Sequence, residues 1–500
     1  MKPSKKFSPP RNPETNVIAR TYFRSNLILF IILLAGLILR LSYLFEFRQT
    51  PFFNARILVG LDQRTWDGMG TNIAERPWIA DGQPFYQAPG YAYFLAAVYT
   101  VFGVHNYLAV GIFQAVLNLI GAYLLFLLGC RLWNRRVGLL SAALYAFYRP
   151  FIYYSATLLI DSFILFTNIL CLYLVYWTME RVQVKHRWFL TGLCFGLATI
   201  TKPTVLLFLF FSFLFVIASL RKQAWQSRPS LKLLPAGALF FLLGFLLFVL
   251  PVTVRNSLLA KKFVTVATYG TINWQIGNSA DSIGLFYYPK GPLLSPKSMA
   301  FWKLWGRKTL FFFSSYEWPQ NINLYLLTSI TRTLKLPLFT FGFVVPLGLA
   351  GFLVFSHRRF HFLQVYTLAN VLTIIAFFIT SRYRLPATAG FMLLAAGYLD
   401  FLYEMFRKEK KVTPTKEETL LRRKNLVKMT ASLLLIFVVS FTWVNNWTGD
   451  RIGEVFVKTY SMFTEQDVRY DLARGEDRLA QKKMETFNRF LLDHQSGRIQ

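Results

Sequence analysis

Apolar runs close to twenty residues long recur along most of this 500-residue chain, and that is the length a helix needs to cross a bilayer. The sequence is 54% hydrophobic and 18% aromatic, and only 16% of it is charged, too little for a soluble domain of this size. It predicts an all-α polytopic membrane protein. Spans are expected near Leu27–Phe45, Leu108–Leu128, Val137–Tyr153, Ser162–Trp177, Trp188–Thr201, Val205–Leu220 and Leu233–Val254. Further spans fall near Leu338–Phe355, Phe362–Thr380, Pro386–Tyr403 and Met429–Val444, about eleven in all with soft boundaries. The segment Tyr91–Gly103 is ambiguous.

Lys and Arg in the short loops set the orientation. With the N-terminus inside, the inner segments carry Lys2, Lys5, Lys6, Arg11, Arg20 and Arg24, then Arg131/Arg135/Arg136 and Arg181/Lys185/Arg187. Arg221/Lys222/Arg228/Lys232, Arg358/Arg359 and the stretch from Arg407 to Lys428 follow. Each is basic, as alternation through an odd number of spans requires, so the C-terminus is expected outside. The net charge of +31 is then topology and anionic headgroups rather than a nucleic-acid surface. No removable signal peptide is read before the first span, which is expected as a retained anchor. Cys130, Cys171 and Cys194 lie in or beside spans without CxxC spacing and read as structural thiols.

This divides the chain into a basic tail (1–25), a transmembrane domain (26–444) with outer loops 46–107 and 255–336, and an outer tail (445–500). In the first loop the stretch from Asp62 reads as a short helix that places Asp62, Trp66, Met69/Gly70 and Ile73 on one face. Asp67 points about 140° away by the same period. Asp62 could serve only as the helix N-cap, with Leu61 its apolar neighbour, or could be a reactive group. Gly82, Pro84, Pro89 and Gly90 then turn the chain back toward the membrane. In the second loop Phe263–Ala267 is β-like. Met299–Phe313 is amphipathic, with Lys303, Arg307 and Lys308 on one side, as suits an interfacial helix. The tail at Asp467–Asp493 reads as a polar helix or hairpin.

Asp161 stands at the outer end of a span, where a carboxylate marks a site or a partner. Arg149, Lys202, Arg255, Arg382 and Arg384 also fall on the outer side, against the charge rule. Headgroup contact explains any one of them; as a set they point to a phosphate. No Walker A, G-x-G-x-x-G, HExxH or nucleophile elbow is present, and of the five His only His105 lies near an outer loop.

In order and context these motifs resemble the GT-C superfamily of integral-membrane glycosyltransferases, over roughly Leu27 to Tyr403. The likeness is to bacterial relatives of the protein O-mannosyltransferases and the lipid A aminoarabinose transferase (glycosyltransferase family 39 type). It is carried by Asp62…Trp66 with Ile73-Ala74, Pro89-Gly90-Tyr91 through Phe102-Gly103, Asp161, and Lys202-Pro203. It continues in Pro251 to Asn256, Ile272-Asn273…Gly277-Asn278, Tyr316-Glu317-Trp318-Pro319…Asn321 and Arg382-Tyr383-Arg384-Leu385-Pro386. Trp66 departs from the more usual Tyr, and the tail is short for a large outer domain.

The resemblance implies inverting transfer of a sugar from a polyprenyl-phosphate donor to a lipid, glycan or protein hydroxyl at the outer face of the cell (inner) membrane. It implies Asp62 as base with Asp161 as a second catalytic carboxylate, and Lys202, Arg255 and Arg382 as donor-phosphate ligands. Trp66, Tyr91, Asn278 and Glu317 would contact substrate. A divalent metal shared by Asp62 and Asp161 is left open. The rival reading, a flippase of lipid-linked saccharide, expects charges near the bilayer midplane and repeated halves. Here the charges gather at the outer edge. A scaffold would need neither outer carboxylate.

Overall fold

Among the described residues, five helical stretches are long and apolar enough to cross a membrane: Phe23–Arg48, Tyr107–Leu132, Asp161–Glu180, Pro235–Ala260 and Arg382–Arg407. Gly90–Phe102, Val205–Ser219, Phe341–Val354 and Phe360–Ala376 are shorter apolar helices beside them. The computed structural model describes residues 13–58, 60–221, 234–286, 288–355, 357–407, 426–434 and, in the tail, 465, 468–469, 471–472 and 475–495. The basic residues Lys2, Lys5, Lys6 and Arg11, the loop at 222–233, the stretch 408–425, most of the predicted span Met429–Val444 and residues 445–464 lie outside them.

In chain order the helices are α1 (Pro13–Arg48), α2 (Asp62–Glu75), α3 (Gly90–Phe102), α4 (Tyr107–Leu132), α5 (Arg135–Ala146) and α6 (Arg149–Ala156). Then come α7 (Asp161–Glu180), α8 (Lys185–Thr201), α9 (Val205–Arg221), α10 (Leu234–Ala260) and α11 (Gly270–Asn278). The last are α12 (Met299–Phe313), α13 (Leu324–Ile330), α14 (Phe341–Val354), α15 (Arg358–Ala376), α16 (Leu385–Arg407) and α17 (Asp477–Gln495). Among the described residues, β-type pairing is confined to isolated bridges.

Small residues let the helices approach closely, the usual basis of helix association in lipid. A Cβ on Gly192 of α8 would lie 2.0 Å from the Phe241 carbonyl oxygen of α10, and one on Gly196 would lie 2.5 Å from that of Phe245. Gly90, in the Pro-Gly-Tyr element, sits against Thr201 at the end of α8, where a Cβ would be 2.9 Å from backbone. The first loop is thereby seated directly beside Lys202.

The run Val137–Tyr153, expected as one span, is broken. α5 ends at Ala146 after 12 residues and α6 starts at Arg149, with Pro150 in its first turn. Twelve residues rise only about 18 Å, well short of a hydrocarbon core. Proline suits a first turn because its missing N–H would be unpartnered there anyway. The backbone groups freed by the break are recovered elsewhere. Arg149 N donates to Phe339 O, Phe339 N donates to Phe147 O, and the fully buried Arg40 of α1 donates Nη1 to Ala146 O at 2.9 Å.

Two further expectations change in the second outer loop. Phe263–Ala267 forms no strand; just after it, Thr268 N and Tyr269 N donate to Phe85 O and Tyr86 O of the first loop. Lys308 does not stay on the polar side of α12. It is fully buried, with Nζ 3.1 Å from Gly277 O and from Asn278 Oδ1 and 3.0 Å from Phe377 O. An ammonium among carbonyl oxygens ties α12 to α11 and to the end of α15.

Candidate active site

Asp62 is the first residue of α2, not its cap. Leu61 holds the cap position and its side chain makes no cap bond. The Asp62 carboxylate turns instead to Arg382, whose Nη2 lies 2.6 Å from Oδ2. Arg382 sits in the tight turn Arg382–Arg384 just before α16. Its other terminal nitrogen, Nη1, is 3.9 Å from Oδ2 of Asp161, the first residue of α7. One guanidinium thus spans two carboxylates brought from separate helix N-termini, where a helix dipole favours negative charge.

Lys202 completes the cluster from the turn after α8. Its Nζ stands 3.1 Å from the centroid of the Tyr383 ring, and the Tyr383 hydroxyl accepts from Arg382 Nη2 at 3.1 Å. Burial, and then the neighbouring Arg382, push the Lys202 amine down to about 7, against the opposite pull of Asp161 and Asp62. Exposure separates the two acids: 27% of the Asp62 side chain is accessible against 1% of Asp161.

The cluster is not saturated. Arg382 Nε and Nη1 and both Asp161 oxygens are buried without a hydrogen-bond partner. Native structures leave few such groups, and those at a cleft mark a place for a ligand. Asp62 itself is half engaged. Oδ2 takes Arg382 and also accepts from Asn321 Nδ2 at 3.2 Å, while Asn321 Oδ1 accepts the Asp62 N–H at 2.8 Å. Oδ1 of Asp62 accepts no hydrogen bond among the described residues.

The remaining sequence candidates have other surroundings. Trp66, one turn on from Asp62, is buried edge-on against Tyr91, with ring centroids 5.4 Å apart. The Tyr91 hydroxyl donates to Gln114. This pair forms packing beneath α2. Asn278 accepts from Trp305 and Lys308 and donates to Trp274 O and Ala376 O. Glu317 is paired with Arg384 at 2.8 Å. Arg384 also donates to the carbonyls of Phe312, Ser314 and Tyr316, fixing the loop that carries Asn321. Arg149 donates to Leu336 O.

Arg255 stands apart from the cluster. Nε donates to Trp78 O, Nη2 to Ile79 O and Nη1 to Gln83 O, so its donors hold the first outer loop. Its neighbour Asn256 accepts from Phe85 N and donates to Val266 O, binding the two loops together.

A divalent metal on Asp62 and Asp161 does not fit these residues. The described residues contain no group of three or more His, Cys, Asp or Glu that could hold one, and Arg382 already bridges the two carboxylates. Asn321 is the residue to which the sequence reading gave no role. Its backbone is left-handed, φ +66°, a conformation Asn tolerates better than most residues. That tolerance was the signal available.

The sequence profile of a family described as dolichyl-phosphate-mannose-protein mannosyltransferase matches residues 86–251. No curated protein matches the chain. Solved structures similar to it include ArnT from Cupriavidus metallidurans bound to undecaprenyl phosphate, at 13% identity and TM-score 0.48, covering 92% of this chain and 74% of that one. The apo oligosaccharyltransferase of Archaeoglobus fulgidus aligns at 13% identity and TM-score 0.46, over 87% of this chain and 57% of its own. AglB from the same organism, in complex with an inhibitory peptide and a dolichol-phosphate, aligns at 15% identity and TM-score 0.45, over 84% and 56%. This chain therefore spans little more than half the length of the oligosaccharyltransferases.

The family match takes in Pro89-Gly90-Tyr91 through Phe102-Gly103, Asp161 and Lys202-Pro203, whereas Asp62, Asn278, Glu317 and Arg382 lie outside it. Over residues 86–251, about a third of the chain, the protein is similar to that family, and its described residues include five helices long and apolar enough to cross a membrane.

Proposed function

We propose that this protein transfers a sugar from a polyprenyl-phosphate donor to an acceptor hydroxyl, with inversion, at the outer face of the inner membrane. The observation that carries this reading is the Asp62–Arg382–Asp161 bridge with Lys202 beside it. It sets a reachable carboxylate next to cations that lack saturating partners. The orientation rests on the basic loops. The lipid-phosphate donor rests on the motif resemblance and the matched family's description.

In this reading Asp62 Oδ1 takes the proton of the acceptor hydroxyl as its oxygen attacks the anomeric carbon. The bond from that carbon to the phosphate oxygen breaks, and the electron pair leaves with the polyprenyl phosphate. Lys202, which has no carboxylate hydrogen bond, and the unpartnered Nη1 of Arg382 hold the charge that develops there. Arg382 Nη2 keeps Asp62 aimed, and Asp161 balances the cations. Trp66 and Tyr91 support α2 from below rather than touch the sugar.

The test is Asp62→Asn, assayed in nanodiscs with a synthetic polyprenyl-phosphate sugar and mass-spectrometric detection of transfer. Asn keeps the size and the hydrogen-bonding reach, and no cap is lost because Asp62 caps nothing. Transfer should vanish while expression and thermal stability persist. An active Asp62→Asn protein would overturn the assignment.

A further inference from the structure

On the other side of α2 lies a cavity of about 460 Å³, within the size range of small-molecule sites, lined by Arg56, Ile57, Arg64, Asp67, Gly68 and His105. Its base is a buried network. Asp67 accepts from the hydroxyls of Tyr99 at 2.7 Å and Tyr107 at 3.0 Å, and its Oδ2 is 2.9 Å from Nδ1 of His105. A carboxylate on Nδ1 fixes an imidazole's orientation and leaves Nε2 pointing away. His105 holds this position at φ +63°, a left-handed strain that a residue with no task would not need.

Asp67 is therefore engaged by three side chains and does not pair with either arginine. Neither Arg56 nor Arg64 has an ion-pair partner among the described residues. Gly68 adds an independent sign. Glycine is a poor helix former, and the other glycine of α2 nearby, Gly70, has a packing reason: a Cβ there would lie 2.7 Å from Leu95 Cβ. A Cβ on Gly68 would meet nothing within 4 Å. The space beside Gly68 is thus open, and Gly68 lines the cavity.

We propose that this cavity recognises a phosphomonoester group carried by the acceptor. Two guanidiniums and an imidazole held at Nδ1 line this one cavity, and together they carry donors enough for the three oxygens of a phosphate. Arg64 is two residues from Asp62, about 200° around the same helix, so a molecule anchored here reaches the carboxylate by passing over the N-terminal end of α2, where Asp62 is the first residue. Calling it the acceptor rests on the reading of Asp62 as base; the phosphate recognition does not.

The test uses the full chain in nanodiscs of uncharged phosphatidylcholine, titrated calorimetrically with glucose 6-phosphate, inorganic phosphate and glucose. A second arm measures retention of phosphatidic acid by native mass spectrometry. The phosphate probes, or phosphatidic acid, should bind where glucose does not. Binding to soluble probes assigns the phosphate to a saccharide; retention of phosphatidic acid alone assigns it to a lipid headgroup. Arg56→Gln/Arg64→Gln should weaken binding by about tenfold or more. Gly68→Leu, which favours the helix but fills the cavity, should block it with every charge in place. Asp62→Asn should bind as wild type does, so a failed catalytic assignment leaves this result readable. Equal binding of all phosphate probes to wild type and to the double variant, or none to either, would overturn the proposal.

Discussion

Asn321 holds Asp62 from both ends, accepting its backbone N–H at 2.8 Å and donating to its carboxylate at 3.2 Å. The contact joins residues 259 positions apart and is made by a buried side chain on a left-handed backbone. Asn tolerates this backbone better than most residues, and here it fixes where Asp62 begins its helix and which oxygen it presents.

Asn321→Gly separates position from stability. Glycine adopts this φ without strain, so thermal stability should hold or change by no more than about 1 kcal/mol. Turnover should fall about ten- to a hundredfold, because Asp62 loses a donor and its alignment. Asn321→Asp can still accept the N–H but sets a second carboxylate against that of Asp62, and should lower turnover further than the glycine variant. The measurement is kcat at saturating donor beside the unfolding midpoint. Full activity in Asn321→Gly would show that Arg382 alone positions Asp62.

Lys202 gives a pH dependence with a definite sign. Its amine titrates at about 7 in the free protein, charged below that value and neutral above it. If the charged form receives the donor phosphate, kcat/KM for the donor should fall about tenfold per pH unit above 7. Lys202→Arg should flatten the profile between pH 6 and 9, since a guanidinium does not titrate there. Lys202→Gln should be flat and weak throughout. A wild-type profile without this alkaline fall would remove Lys202 from the phosphate.

Part of this site could be read before folding. Asp62, in the loop past the first span, was singled out by its motif; Asp161, Lys202 and Arg382 stand at the ends of apolar runs, and that is visible locally. Their meeting is not, since Arg382 reaches Asp62 across 320 positions. The pattern also misjudged residues whose polar atoms are satisfied by backbone. Lys308 looked like an interfacial charge because a helical period shows which side a residue is on, not whether carbonyls wait there. Val137–Tyr153 looked like one span because hydropathy averages over a break; Arg149-Pro150 was the mark that a new helix starts.

Gly192→Ala tests whether helix packing sets the position of Lys202. The added methyl would overlap the Phe241 carbonyl, which lies 2.0 Å from it and cannot move without the rest of α10. The expected cost is about 1–3 kcal/mol in unfolding measured in detergent. Because α8 leads straight into Lys202, the donor KM should rise as well. Gly68→Ala is the contrast, since its Cβ meets open space and it should be neutral or stabilising. Equal stability of the two variants would mean that α8 and α10 pack more loosely than their glycines indicate.

Arg255 separates the expectation drawn from charge from the one drawn from contacts. By sequence it was a cation on the wrong side of the membrane and so a phosphate ligand. In the fold its side chain is 1% exposed, its guanidinium donates to three loop carbonyls, and it lies over Phe85 at 3.8 Å. Arg255→Met keeps the bulk and the contact with Phe85 but strands those carbonyls. Trp78 and Ile79 are exposed, so water can reach part of what is stranded, and the cost should be near one lost contact, about 1–3 kcal/mol, rather than three. The first outer loop should become protease-sensitive near Trp78, and kcat should drop as α2 loosens. Donor KM in nanodiscs should stay at the wild-type value. A raised donor KM with an unchanged unfolding midpoint would reverse this reading and return Arg255 to the donor phosphate.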